Sequence, residues 1–361
     1  MAPKPVQLPV SVPALVGAPT RGAPTEPPRD MGRVVLGAES PSAPARQGSA
    51  PLPEAVFTTA AAIMDTVVSI TVVGSDGDPE LQARVERAFG WFTQVERVCS
   101  RFDRDSELMA LCRAVGTAVP VSDPLFGALR MALEVARLSR GAFDPTVGLT
   151  LERAGFNRNY RTGEHLRTEM DAPRRPSYRD VRLDDARQTV TLGRPLVLDL
   201  GAVAKGLAID LAARELACYP GFAVEAGGDL FVGGQNDQGT NWRIGIKHPF
   251  RPTALIDTVE VRDLAVCTSA AYERRVKAEP ITHHLLDPRR GESASGVASV
   301  TVIAPTAMLA DALSTAAFVL GPRKGIALLE AAKVDGLIIT PTLTQKASKD
   351  YARHQTTSGE R

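Results

Sequence analysis

The chain has 361 residues, 44% of them hydrophobic and 23% charged, with a formal net charge of +1. That length and balance fit a soluble globular protein with a sizeable core and room for two lobes, and near-neutral charge gives no broad electrostatic attraction to nucleic acid or an anionic membrane. The four cysteines, Cys99, Cys112, Cys218 and Cys267, lack the short paired spacings of a zinc site or a disulfide framework and are expected to be small buried hydrophobes.

Residues 1–53 are dense in Pro, Ala, Gly and Ser with few aromatics. Such a composition cannot bury enough surface to fold, so a disordered arm is expected. Pro5, Pro9 and Pro13 break up its start, leaving no secretory apolar core, and no cysteine lies near for a lipid anchor; the expectation is a cytoplasmic protein. No stretch approaches the roughly 20 apolar residues that span a bilayer. The folded domain is expected over 54–344, followed by a flexible polar tail, 345–361.

In chain order, 57–73 reads as a strand ended by the turn residues of 74–79. Residues 81–99 carry Val85, Phe89, Phe92, Val95 and Val98 at helical spacing, which predicts a helix with one buried stripe. A second helix is predicted over 125–138, stopped by Gly141, and short strands over 178–196 with a turn at Asp184-Asp185. The apolar run 195–200 then meets Gly201 and an amphipathic run to about 217, the pattern of strand, tight turn and helix. Residues 222–234 read as strand, glycine turn and strand. Further strands are predicted over 242–246, 255–261, 265–268, around 276, 282–286 and 298–303, and a helix over 310–320 stopped by Gly321-Pro322. Short strands and helices in irregular order make the fold class α+β.

The stretch 198–210 is the one the rest is organised around. A helix N-terminus behind a small-residue turn presents free N–H groups and a positive dipole end to an anion; Lys205 adds a mobile cation for a phosphate and Asp199 a carboxylate beside it. The competing reading is that Gly and Ala here serve only close strand–helix packing. Asp311 and Thr315, four apart on one helical face, are the carboxylate and hydroxyl that magnesium uses beside a substrate phosphate; otherwise Asp311 is an ordinary solvated helix residue. His283 and His284 are neighbours in a strand and point to opposite faces, so they do not chelate one ion, but one facing a cleft suits a general base. Thr268 and Ser269 suit hydrogen bonding to a ligand, and no nucleophile elbow surrounds Ser269.

Taken together, Asp199-Leu-Gly-Ala-Val-Ala-Lys-Gly, Ala226-Gly-Gly-Asp229, Thr268-Ser269, His284-Leu-Leu-Asp-Pro288 and Asp311-Ala-Leu-Ser-Thr315 resemble, in that order, the ApbE family of FAD:protein FMN transferases. Upstream, Met64-Asp65-Thr66, Ser100-Arg-Phe102 with Asp105-Ser106-Glu107-Leu108, and Gly141-Ala-Phe-Asp144-Pro145 resemble its N-terminal half. The resemblance covers about 57–339. It implies an α+β, T-fold-related, two-lobed domain with the flavin nucleotide in a central cleft, and magnesium-dependent transfer of the FMN half of FAD to a Thr or Ser of an acceptor flavoprotein, releasing AMP. It further implies metal ligation by the Ala202 carbonyl, Asp311 and Thr315, and FAD binding along Met64, Phe102, Ala142, Phe143, Asp144, Asp199, Lys205, His284 and Leu285. Lys205 would help neutralise the pyrophosphate, and His284 is the candidate to accept the target hydroxyl's proton.

Three positions depart from the family's pattern. Asp65 stands where Gly is usual, Ala270 replaces the glycine that follows Thr-Ser and would be strained if φ were positive there, and Cys112 stands where Asn is usual. Two alternatives therefore accompany the transferase: a magnesium-dependent FAD pyrophosphatase, in which water replaces the protein hydroxyl, and a non-catalytic FAD-binding protein.

Overall fold

A computed structural model describes residues 55–74, 77–169, 176–273, 275–276 and 282–356. The predicted arm over 1–53, part of the 74–79 turn and the last five residues of the predicted tail lie outside the described residues. The architecture is α+β, built on one antiparallel sheet of eight strands. In chain order these are β1 (Val56–Ile63), β2 (Thr66–Val73), β3 (Gly221–Ala226), β4 (Asp229–Gly234), β5 (Leu264–Ala270), β6 (Ser299–Ala304), β7 (Asp335–Ile339) and β8 (Gln345–Ala347), and they lie side by side in that same order. Four helices matter most: α1 (Leu81–Cys99), α2 (Asp123–Leu138), α3 (Gly201–Leu216) and α4 (Ala307–Ala331).

Period-two alternation divides the sheet between two cores. Val68, Ile70, Val224, Ala265, Cys267, Val300, Val302 and Ile338 face the helices, packing with Phe92, Leu129, Leu207 and Phe318. Val232, Val266, Ile303, Leu337 and Ile339 face the other way, under the antiparallel hairpin of Trp242–Lys247 and Leu255–Val261. The C-terminal segment joins that second core. β8 pairs with β7, Tyr351 is buried there and its hydroxyl donates to Asp257 Oδ2 at 2.9 Å, and the buried His354 bonds Asp335. The expectation of a loose tail from 345 is corrected over 345–356, because an aromatic and a paired carboxylate anchor a segment that composition alone reads as solvated.

Other expectations are corrected locally. The predicted strand over 57–73 is a hairpin, β1 and β2, turning on Met64 and Asp65, both at positive φ (56° and 61°) with Ile63 opposite Thr66. Two consecutive positive-φ residues define a type I′ turn, a conformation Asp tolerates. The apolar run 195–200 forms no strand and belongs to no sheet. Its backbone bonds elsewhere: Gly148 N–H donates to the Val197 carbonyl, Asp199 N–H to the Pro145 carbonyl, and Leu198 N–H to Cys112 Sγ. Leu196, Leu198 and Leu200 are buried, so hydrophobicity marks burial here, not strand pairing. α4 begins at Ala307, three residues before the expected start, where the Thr306 side chain caps it, and it continues beyond Gly321 across a kink at φ 79°. By length and composition α4 also qualifies as a membrane-spanning helix, contrary to the reading that no stretch comes near; it packs on the sheet, with Leu313, Ala317 and Phe318 in the helix-side core. Cys218 is exposed, unlike the other three cysteines.

Candidate active site

Two tight turns build one end of the sheet. The β1–β2 turn at Met64-Asp65 lies beside the β3–β4 turn at Gly227-Gly228, since Gly227 N–H donates to the Val67 carbonyl and a Cβ on Gly227 would meet Thr66 Oγ1 at 2.5 Å. Both glycines have positive φ, 60° and 90°. This turn delivers Asp229, the first residue of β4, to the sheet's end. Pairing of β4 with β5 stops at Leu230 and Val266, and there the Asp229 carboxylate takes over from the backbone: its Oδ1 accepts the Thr268 N–H at 2.7 Å.

Above this end pass α3 and α4. Asp210 of α3 is buried and accepts the N–H groups of Ala307 (2.7 Å) and Met308 (3.0 Å), capping α4 from the side. Burial pushes its carboxyl up to about 7, against the pull of those two N–H donors. Gly206 lets the helices touch. The clamp brings Lys205 of α3 to Asp311 of α4: the Lys205 ammonium contacts Asp229 Oδ2 and lies 3.5 Å from Asp311 Oδ2. Asp311 is 6% exposed, and its Oδ2 is buried without a hydrogen bond.

One turn along α4, a hydroxyl chain fixes Thr315. Ser314 Oγ donates to the Asp311 carbonyl at 2.8 Å. Its single proton being spent, Ser269 must donate to Ser314 (2.7 Å), and Thr315 in turn to Ser269 (3.1 Å). The lone pairs of Thr315 Oγ1 are therefore left for another partner. Among the described residues no group of three or more His, Cys, Asp or Glu side chains could hold a metal, so a cation beside Asp311 would rely on hydroxyl and carbonyl oxygens, the hard ligands magnesium prefers. A buried carboxylate oxygen that makes no hydrogen bond and a proton-committed hydroxyl fit that ion.

Among the described residues Asp199 makes no ion pair with Lys205 but pairs with Arg101, whose guanidinium also donates to the Phe156 carbonyl and stacks 4.1 Å from the Phe102 ring centroid. Asp199 Oδ1 accepts Gly201 N–H at 2.9 Å, at the start of α3. Asp144 spends both oxygens locally, on the Thr146 N–H and hydroxyl and on the Tyr178 N–H; burial raises its carboxyl above the ordinary range despite these bonds. Ala142, Phe143 and Leu285 are buried, whereas Ala202 and Met64 are half-buried. His283 and His284 do point apart: His283 Nε2 bonds the Ala294 carbonyl with its ring edge-on to Phe318, whereas His284 meets Phe156 edge-on. Ala270 lies in β5 opposite Ser299, without positive φ, so its replacement of glycine carries no backbone strain. Cys112 is the acceptor for Leu198 N–H, a place an Asn oxygen would also fill.

Sequence reasoning gave no role to Arg101, Asp210 or Ser314. The AGGD motif contained Asp229 but not its partner, because an ion pair between a helix and a strand 24 residues away has no local signature.

The ApbE family profile matches residues 64–338. The FAD:protein FMN transferase of Treponema pallidum is 35% identical over 320 residues, covering 81% of this chain and 86% of that protein; the FAD:protein FMN transferase of Vibrio cholerae is 28% identical over 299 residues, covering 80% and 88%. Among solved structures, the ApbE protein of Thermotoga maritima superposes with a TM-score of 0.75 at 30% identity, over 84% of this chain and all of that one. The flavin transferase ApbE of Vibrio cholerae gives 0.73 at 25% identity, with the same coverage. The departures at Asp65, Ala270 and Cys112 thus sit in a framework otherwise shared along most of its length, and this chain belongs to the ApbE family.

Proposed function

We propose that this protein is an FAD:protein FMN transferase that moves the FMN half of FAD to a Thr or Ser hydroxyl of an acceptor flavoprotein, releasing AMP. The observation that carries this reading is the buried Asp311 Oδ2, without a hydrogen bond and 3.5 Å from the Lys205 ammonium, at the end of the sheet where the family's motifs converge. Asp311, Thr315 and the Ala202 carbonyl would hold Mg2+, which when bound supplies positive charge to a pyrophosphate as its P–O bond breaks.

The chain's own groups do the rest. Lys205 offers a second, movable positive charge to the phosphates. Phe102, fixed by the Arg101 guanidinium on its face, presents an aromatic surface for one of the FAD rings. His284, oriented by the Phe156 ring, is assigned the acceptor hydroxyl's proton, a role for which an imidazole's ordinary pKa is suited.

The test is incubation with FAD and Mg2+, with and without an acceptor flavoprotein domain, following AMP and acceptor mass. Acceptor mass rising by one FMN, lost in Asp311→Ala, is expected. His284→Ala should slow transfer by about 10²- to 10⁴-fold with FAD still bound; an unchanged rate removes His284 from the reaction. AMP and free FMN with no labelled acceptor would point to the pyrophosphatase, and tight FAD binding with no AMP to a binding protein.

A further inference from the structure

Lys205 has two carboxylates within reach, and they are not equivalent. Asp229 is held at the first position of β4 by the Gly227-Gly228 turn, with Oδ1 bound to Thr268 N–H, and its Oδ2 is in direct contact with the Lys205 ammonium. Asp311 Oδ2 lies farther off, at 3.5 Å, and makes no hydrogen bond. The lysine side chain is about one-fifth exposed and both carboxylates are almost fully buried, so solvent screens this triad little.

We propose that Asp229 is a positioning residue for metal loading: by holding the ammonium of Lys205 in direct contact, it keeps that internal cation at the distance of a long ion pair from Asp311, short of a hydrogen bond, and so leaves Asp311 Oδ2 open to a divalent ion. This rests on the metal reading of Asp311 given above. Without Asp229, Asp311 is the nearest acid to Lys205. The flexible four-carbon stem lets the ammonium close the remaining distance, and an incoming metal must then displace it. The strand thus allots the lysine's charge before any nucleotide arrives, and the same lysine remains free to turn toward a phosphate later.

The experiment is a double-mutant cycle on the full-length, FAD-free protein, with Mn2+ as the probe and free Mn2+ read from its electron spin resonance signal. Asp229→Asn is expected to weaken Mn2+ binding by about 10- to 100-fold, the usual scale for a group behind a metal ligand. In a Lys205→Met background the same change should cost almost nothing, because no competing cation remains. An equal loss in both backgrounds overturns the proposal, since Asp229 would then act through its own charge or as a ligand. Thermal unfolding midpoints establish that each variant folds. Should Asp229→Asn fail to fold, Asp229→Ser replaces it in the same cycle, and an equal loss with and without Lys205 again overturns the proposal. Asp311→Ala separates the two readings. If it leaves Mn2+ affinity unchanged, the metal reading falls and this inference with it; if it abolishes binding while the cycle is additive, only the role of Asp229 is lost.

Discussion

Gly206 of α3 lies so close to Ala307 of α4 that a Cβ on Gly206 would meet the Ala307 carbonyl oxygen and the Met308 Cα, each at 2.5 Å. Nothing flexible stands there to give way. Gly206→Ala must push the helices apart, at a cost of about 1–3 kcal/mol, and the shift moves Lys205 relative to Asp311. A lowered denaturation midpoint together with weaker Mn2+ binding is expected; retention of both would mean that the helix pair is not in contact at this point.

Asp210 should give stability a characteristic pH dependence. Its carboxyl rises from an ordinary 3.8 to about 7 in the folded chain because it is buried. Between those values the folded state holds a proton that the unfolded state has released, so unfolding free energy falls as pH rises through that window and levels off above it. Urea titrations at pH 5 and pH 7.5 on the parent and on Asp210→Asn test this. The difference in stability between the two should narrow at the higher pH, and a constant difference would assign the group an ordinary titration.

Thiol chemistry checks the placement of the cysteines. Burial pushes the Cys112 thiol up to about 11 and raises Cys99 and Cys267 as well, whereas Cys218 is exposed. The thiolate is the reactive form. A disulfide reagent should therefore titrate one thiol in the native protein, absent in Cys218→Ser, and four after denaturation. Rapid native reaction of a second thiol would contradict the packing around Cys112 and Leu198.

The C-terminal segment is expected to contribute to stability in proportion to what Tyr351 buries. Tyr351→Ala should cost about 3–5 kcal/mol, as for other large aromatics removed from a core. Tyr351→Phe should cost about 1 kcal/mol, the loss of one hydrogen bond, because the Gln355 side chain still serves Asp257. Chemical denaturation of both variants measures this; parent-like stability in Tyr351→Ala would detach the segment from the fold.

How much of this was legible beforehand follows physical lines. The helix over Leu81–Cys99 and the hairpin around Gly227-Gly228 were readable because periodicity and turn glycines are local signals. Met64-Asp65 hid a hairpin because neither residue is the glycine that usually marks such a turn. The run 195–200 misled because an apolar stretch reports burial, while the pairing of its backbone with Cys112, Pro145 and Gly148 is set by residues far along the chain. At the site, the oxygen donors Asp311 and Thr315 were visible as a spacing, but the pairing of Lys205 with Asp229, the Asp210 clamp and the hydroxyl chain through Ser314 exist only once the helices lie on the sheet.

That last property has a kinetic consequence. Lys205, Asp229 and Asp311 come from a helix, a strand and a second helix separated by long loops of chain, and closing such loops costs entropy that only the assembled core repays. In refolding, Mn2+ affinity should therefore appear with the slowest phase that restores α3 against α4, after helical content has returned. If Asp311 holds a cation as proposed, that site would report the end of folding, and fragments that stop short of Asp311 would lack its carboxylate.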